Sequence, residues 1–232
     1  IGGTPEQQAE YKGKGYLLYQ ELIDSGKPEC DPVRRDRMDV SVLLYTSGTT
    51  GLPKGTVHFM EEALIVPDGF GKYCWNVSEN DIIGGSAPIA MAAGYSAVAV
   101  IPYRFGAAVS LIARFTPEAM FETIQNHQVT ILSILPTAYR KMLQVPEAAK
   151  KYNLRSLRVC TGGGESLTAQ TYHDWKAKFG MEIYEGLGTT EMMFVFISSA
   201  VTRKVKPGAI GPAVPGYELK VVTEDGKECK PG

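Results

Sequence analysis

Long apolar runs are missing. The longest, Ala87 to Tyr103, is broken by Pro88, Gly94, Ser96 and Pro102, too short and too interrupted for a membrane-spanning helix. Cysteine is scarce. Cys30, Cys74, Cys160 and Cys229 stand far apart with no C-x-x-C pair. That argues against a zinc site or a disulfide framework, and for the reduced thiols of the cytoplasm. The three histidines, His58, His127 and His173, lack metal-ligand spacing. Charge of one sign is not in surplus either. The net charge of -1 gives no reason to expect nucleic acid or an anionic membrane as partner. The short basic clusters Arg34, Arg35, Arg37 and Arg203, Lys204, Lys206 read as solvated loops. What remains is an ordinary globular composition, 44% apolar and 21% charged over 232 residues, enough for one domain or two small ones. The chain begins Ile1-Gly2-Gly3, with neither an initiator Met nor the basic and apolar regions of a signal peptide, and ends Lys230-Pro231-Gly232 just after a hairpin signal. Both ends read as cut from a longer chain.

Local patterns divide the chain into an entry segment, 1–39, an α/β core, 40–208, and the start of a small β unit, 209–232. The entry segment is polar, with a short helix expected near Tyr16 to Ser25. Val40 to Tyr45 is a compact apolar run and reads as a strand, and helix is expected from about Phe59. Further strands are expected at Ser96–Pro102, Val109–Ile112, Val129–Leu135, Leu157–Thr161, Met181–Tyr184 and Phe194–Ser198. Between them, Thr116 caps a helix over Pro117 to Gln128, Thr137 starts another, and a helix over Thr168 to Phe179 stops at Gly180. The alternation predicts an α/β fold with a largely parallel sheet flanked by helices. Tyr217 to Val222, followed by Glu224-Asp225-Gly226, reads as a strand and turn of an antiparallel unit.

Three polar, glycine-rich stretches follow strands, the edge at which open α/β sheets bind ligands. The first is Thr46-Ser47-Gly48-Thr49-Thr50-Gly51-Leu52-Pro53-Lys54-Gly55. Its glycines permit close backbone approach, its hydroxyls donate hydrogen bonds, and Lys54 adds a point charge suited to phosphate oxygens. Together they make an anion cradle. It is not a Walker A loop, because Gly55 follows Lys54 where Ser or Thr would stand. A flexible surface turn is the bland alternative. The other two stretches are Gly162-Gly163-Gly164-Glu165-Ser166-Leu167 and Tyr184-Glu185-Gly186-Leu187-Gly188-Thr189-Thr190-Glu191.

Together with Gly211-Pro212-Ala213-Val214-Pro215-Gly216, these stretches resemble, in order and spacing, the signatures of the adenylate-forming superfamily: acyl-CoA synthetases, aryl-CoA ligases, adenylation domains and beetle luciferases. The resemblance covers residues 40 to 222. It implies an enzyme that uses ATP and Mg²⁺ to convert a carboxylic acid to an acyl-adenylate, then passes the acyl group to coenzyme A. It further implies that Thr46, Ser47, Gly48, Thr49, Thr50, Gly51 and Lys54 hold the β- and γ-phosphates. Thr190 would bond the α-phosphate, and Glu191 would hold Mg²⁺. Gly164, Glu165, Ser166, Glu185, Gly186, Leu187 and Gly188 would frame adenine. Thr190, Glu191 and Lys54 would be the catalytic set. Without the resemblance, Glu191 reads equally as a solvated carboxylate at a helix start capped by Thr190.

Some positions depart from the commoner family pattern. Leu187 stands where many members stack an aromatic on adenine, and Met91 where many carry a histidine. Both departures, with Lys54 to Phe59, Pro136 to Arg140 and Glu191 to Phe194, resemble the benzoate- and aminobenzoate-CoA ligase branch. Small residues at Ala90, Ala92, Ala93, Gly163 and Gly188, with Met91, imply an open, apolar acyl pocket that suits a ring or a medium chain better than acetate, and that Gly188→Trp is expected to fill. Close packing of the Ala-rich stretch is the alternative. Tyr95 reads as a pocket wall or a core residue, Tyr139 as channel or helix packing, and Trp75 and Trp175 as core. His58 reads as a partner of the nearby loop.

The superfamily's chain is more than twice as long. By resemblance, an upstream subdomain and a mobile C-terminal domain with its lysine are absent, so turnover by these residues alone is not expected. Self-association through apolar surface is expected instead. Expected partners are small molecules: the acid, ATP and CoA. Two other readings stay open, a fatty or medium-chain acyl-CoA synthetase and a nucleotide-binding module without catalysis.

Overall fold

The computed structural model describes residues 3–46 and 51–229. Two compact units divide the chain, Ile1–Arg35 and Asp36–Gly232. The first holds helices Pro5–Gly13 and Tyr19–Ser25, neither of which buries a residue. The Pro5–Gly13 helix begins with a reciprocal cap between Thr4 and Gln7, a signal the sequence reading passed over.

The second unit opens with a two-stranded antiparallel hairpin, β1 (Val40–Tyr45) and β2 (Gly55–Phe59). The backbone N–H of Thr46 donates to the carbonyl of Lys54 at 3.0 Å and closes the loop between them. Helix was expected from Phe59. Instead Thr56, Val57, His58 and Phe59 complete a strand, whose β-branched and aromatic side chains suit a pleated surface, and the helix starts at Glu62. That helix, Glu62–Val66, continues as a π-helix over Pro67–Trp75.

The main sheet contains β3 (Ile82–Gly85), β4 (Ala108–Ser110), β5 (Ile131–Ser133), β6 (Val159–Gly163), β7 (Ile183–Gly188) and β8 (Val195–Ser198), in spatial order β4-β3-β5-β6-β7-β8. All neighbours are parallel except β7 and β8. Successive strand residues feed opposite cores. Leu132, Cys160 and Ile183 pack with Phe121, Tyr139 and Trp175 on one side, and Ile131, Val159 and Ile83 with Phe70, Trp75 and Ile101 on the other. The fold is therefore the expected α/β type.

Helix signals act where expected. Thr116 accepts from Ala119 N at 3.1 Å to start Pro117–His127, and Met120, Phe121 and Ile124 are buried. Thr168 accepts from Thr171 N at 3.2 Å to start Ala169–Phe179, which ends at Gly180 with φ of 74°. A further helix spans Pro136–Leu143.

Three further features differ from the sequence expectation. Ser96–Pro102 is helical, within a continuous run of Ala92–Tyr95, a π-helical Ser96–Val100, and Ile101–Phe105. Six of those seven residues are buried, so no solvent face imposes a period that tells helix from strand. The interior strand β3 was not foreseen, because Gly84 and Gly85 carry no apolar signal. A Cβ on Gly84 would lie 2.9 Å from Val129, and one on Gly85 2.8 Å from the Ser133 carbonyl. Finally, Tyr217–Val222 is not a strand. The turn beside it is held by Gly226 N to Thr223 O at 2.9 Å and one bridge, Val222 to Glu228. Among the described residues no helix is long and apolar enough to cross a membrane, and all four cysteines are free thiols.

Candidate active site

A cleft of about 530 Å³ opens at the carboxyl ends of the parallel strands. Its base is formed by Ser133, Ile134 and Leu135 at and after the end of β5, by Thr161 to Gly164 at the end of β6, and by Tyr184, Gly186 and Gly188 of β7. One wall is Met91, Ala92 and Ala93, at the start of the long helical run, with Phe70 from the π-helix. Thr189, Thr190, Met193 and Phe194 also line the cleft, Phe194 touching Phe70. Tyr45, Thr46 and Pro53 of the β1–β2 hairpin complete it.

The structure thus brings together Thr46, Met91, Ala92, Ala93, Gly163, Gly164, Gly186, Gly188 and Thr190 from the expected set. Ser47, Gly48, Thr49 and Thr50 lie outside the described residues. Gly51 and Lys54 are exposed on the same loop. Ala90 and Tyr95 are not in the cleft lining, and Tyr95 packs half-buried against the core around Phe70 and Trp75. Tyr139 is a core residue. It is fully buried, its hydroxyl donates to Thr161 O at 3.1 Å, and its ring stands edge-on to Trp175 at 4.7 Å. Burial pushes its phenol well above the ordinary value. Trp75 and Trp175 are fully buried, and His58, also buried, pairs through Nδ1 with Glu62.

The two carboxylates assigned to adenine have other attachments. Strand alternation turns Tyr184, Gly186 and Gly188 to the cleft, and Glu185 and Leu187 away from its lining. Glu185 is buried, and its Oε1 accepts from Leu167 N at 2.8 Å. Glu165 accepts from both the backbone N–H and the hydroxyl of Thr137, at the first turn of Pro136–Leu143, with Arg140 at 3.5 Å. Those hydrogen bonds and the Arg140 charge outweigh desolvation and hold its carboxyl below the ordinary value. The Gly164–Ser166 turn is therefore anchored on both flanks, and Gly164 enters it at φ of 83°, where glycine costs least.

Glu191 does not start a helix. It sits in a turn closed by Met193 N to Thr190 O at 2.9 Å, with the Thr189 hydroxyl accepting from Met192 N at 3.3 Å. It is exposed, with no hydrogen-bond or ion-pair partner among the described residues. No cluster of three His, Cys, Asp or Glu side chains exists among the described residues. A hard dication bound mainly by substrate phosphates needs only one or two carboxylates, so an unpaired Glu191 beside Thr190 fits Mg²⁺ in that mode.

Gly188 corrects one expectation. A Cβ there would lie 2.4 Å from the carbonyl oxygen of Phe194 and 2.8 Å from its carbon. The glycine is demanded by close approach of the β7 and β8 backbones, so a larger residue displaces the turn instead of simply filling the pocket. Phe70 was not foreseen as a wall. It meets Phe194 edge-on at 4.9 Å and Trp75 at 5.2 Å, and no local pattern places a π-helical residue at a sheet edge. Arg203 covers the ring of Tyr184 at 5.1 Å.

The model of the AMP-binding enzyme family matches residues 4–232. The benzoate–CoA ligase of Thauera aromatica is 38% identical over 219 residues, 93% of this chain and 41% of that protein. A mitochondrial acyl-coenzyme A synthetase of Rattus norvegicus is 29% identical over 218 residues, 93% of this chain and 37% of that protein. Among solved structures, an anthranilate CoA ligase in complex with anthranoyl-AMP superimposes with a TM-score of 0.89 at 29% identity, covering 100% of this chain and 43% of that one. This chain thus spans about two fifths of the relatives it matches. With the match running through nearly all its residues and the cleft at the expected sheet edge, the chain belongs to the AMP-binding enzyme family.

Proposed function

We propose that this chain is the nucleotide- and acyl-binding core of an AMP-forming acid–CoA ligase whose acid carries a ring. One observation carries the reading. One cleft is lined both by the apolar Met91 to Ala93 and Phe70 and by the hydroxyl-bearing Thr189 and Thr190, with Glu191 next in the chain. An acid's apolar body and a nucleotide's phosphates need those two environments side by side. The named benzoate and anthranilate ligases support a ring.

In this reading a carboxylate oxygen of the acid attacks the α-phosphorus of ATP. The bond to the bridging oxygen breaks, pyrophosphate leaves, and acyl-AMP forms. The thiolate of coenzyme A then attacks the acyl carbon and AMP leaves. The first step brings two anions together, so positioning and charge screening dominate it. Thr46, Ser47, Thr49, Thr50 and Lys54, on a loop with Gly48 and Gly51, hold the leaving phosphates. Thr190 bonds the α-phosphate. Gly164, Ser166 and the backbone of Glu185 to Gly188 frame adenine, while the Glu165 and Glu185 side chains set that turn. Glu191 holds Mg²⁺, which when bound neutralises phosphate charge.

An unbranched acid is the second reading, favoured by the similarity to the rat acyl-coenzyme A synthetase and by the flexible Met91 on the acyl wall. The test is product analysis with full-length protein, ATP, Mg²⁺, CoA and either benzoate or a medium-chain acid. AMP, pyrophosphate and benzoyl-CoA are expected. The medium-chain thioester in excess would favour the second reading, and ATP binding without any pyrophosphate release would leave only a binding module.

A further inference from the structure

Ser96 is fully buried, and its hydroxyl donates to the carbonyl of Met193 at 2.9 Å, joining residues 97 apart in the chain. Met193 itself lines the cleft, and Ser96 lies just after the lining residues Met91 to Ala93. Ser96 opens the π-helical stretch Ser96–Val100, one turn beyond Ala92 and Ala93, which line the acyl side. Met193 closes the turn that carries Thr190 and Glu191, with its N–H on Thr190 O at 2.9 Å. It is a non-glycine residue in the left-handed region, φ of 61°, so neighbouring structure must hold it there. Its carbonyl points into the protein core, where an unpaired acceptor is costly. Ser96 satisfies it from the helix that shapes the acid pocket.

We propose that Ser96 is a positioning residue that acts through Met193 to set Thr190 and Glu191 relative to the acyl wall. One hydroxyl then links the fit of the acid to the placement of the groups that handle phosphate and metal. This rests on the role given above to Glu191.

A double-variant cycle in the full-length protein separates positioning from simple packing. Acid-dependent exchange of labelled pyrophosphate into ATP is measured against Mg²⁺ concentration for wild type, Ser96→Ala, Glu191→Gln and the pair. Ser96→Ala is expected to lower kcat roughly tenfold and to raise the Mg²⁺ needed for half-maximal rate, with the KM for the acid little changed. The pair is expected to be no slower than Glu191→Gln alone. Multiplying effects, or a Ser96→Ala enzyme with wild-type kcat and Mg²⁺ dependence, would overturn the proposal while leaving the ligase reading intact. A normal Glu191→Gln enzyme would remove the role of Glu191 and this proposal together. No exchange by wild type with any acid would remove the ligase reading itself. If Ser96→Ala does not fold, Ser96→Cys, of similar volume and with a weak donor, takes its place in the cycle with the same deciding outcomes.

Discussion

Nη2 of Arg158 lies 2.7 Å from Oδ2 of Asp81, and each residue immediately precedes a strand of the parallel sheet. Thr130, just before β5, donates to Asp81 Oδ1 at 2.6 Å, and Arg158 also reaches the carbonyls of Trp75 and Asn76 at 2.8 and 2.9 Å. Asp81 is 3% exposed. The cluster pins the starts of β3, β5 and β6 at the edge opposite the cleft.

Burial alone would raise the Asp81 carboxyl, but hydrogen bonds from Arg158, Thr130 and Ser78 outweigh it and hold the pKa down to about 2. A folded pKa below the ordinary 3.8 stabilises the protein above that pH, and the contribution is lost as pH falls through about 2. The difference is worth about 2 kcal/mol. Asp81→Asn, which leaves Arg158 without its counter-charge, is expected to cost about 3 kcal/mol at pH 7 and to flatten acid unfolding between pH 4 and pH 2, roughly the window of that shift. Urea melts of both forms across pH check this. An equal acid dependence in the two would contradict it.

Gly188→Ala and Gly163→Ala test the backbone approach. Added Cβ atoms would lie 2.4 Å from Phe194 O and 2.9 Å from Gly186 O. Overpacking of this kind costs about 1–3 kcal/mol. Thermal melts are expected to show both variants destabilised, Gly188→Ala more so. A Gly188→Ala protein as stable as wild type would restore the simple pocket-filling view.

The cysteines make a separate prediction. Burial pushes the Cys74 and Cys160 thiols up to about 12, Cys74 despite the opposing charge of Arg203. Cys30 is exposed. At pH 8 a thiol reagent is expected to modify Cys30 rapidly, and Cys74 and Cys160 only on unfolding. Peptide mapping after brief labelling reads the order.

The outer face of the hairpin carries Leu43, Tyr45 and Val57, 51, 68 and 45% exposed, while Leu44 and His58 face inward. Such a face is expected to drive self-association of the 232-residue chain at micromolar concentration. Sedimentation velocity should show Leu43→Lys with Val57→Lys shifted toward monomer. A wild-type monomer that binds no hydrophobic dye would contradict this.

Local signals made much of this fold legible. Thr116 with Pro117, and Thr168 with Gly180, bracket helices whose ends depend on nearby side chains. The glycine-rich stretches likewise marked the cleft, since Gly163, Gly164, Gly186 and Gly188 line it. What stayed hidden depends on packing at long range. Ser96 to Pro102 is buried nearly all round, and that burial erased its period. β3 is defined by what its glycines approach, Val129 and Ser133. The anchoring of Glu165 by Thr137 and of Glu185 by Leu167 N likewise joins residues 28 and 18 apart.

The most direct test of the ligase reading is benzoate-dependent exchange of labelled pyrophosphate into ATP by the full-length protein, with acetate as comparison and Glu191→Gln alongside. On the proposed reading, the cleft's apolar lining is expected to give exchange with benzoate well above acetate. Losing one preorganised charge at Glu191 is expected to cost about 2–4 kcal/mol, roughly a hundredfold in rate, with the melting temperature nearly unchanged. Acetate as the better acid, or a Glu191→Gln enzyme with normal rate and normal Mg²⁺ dependence, would contradict it.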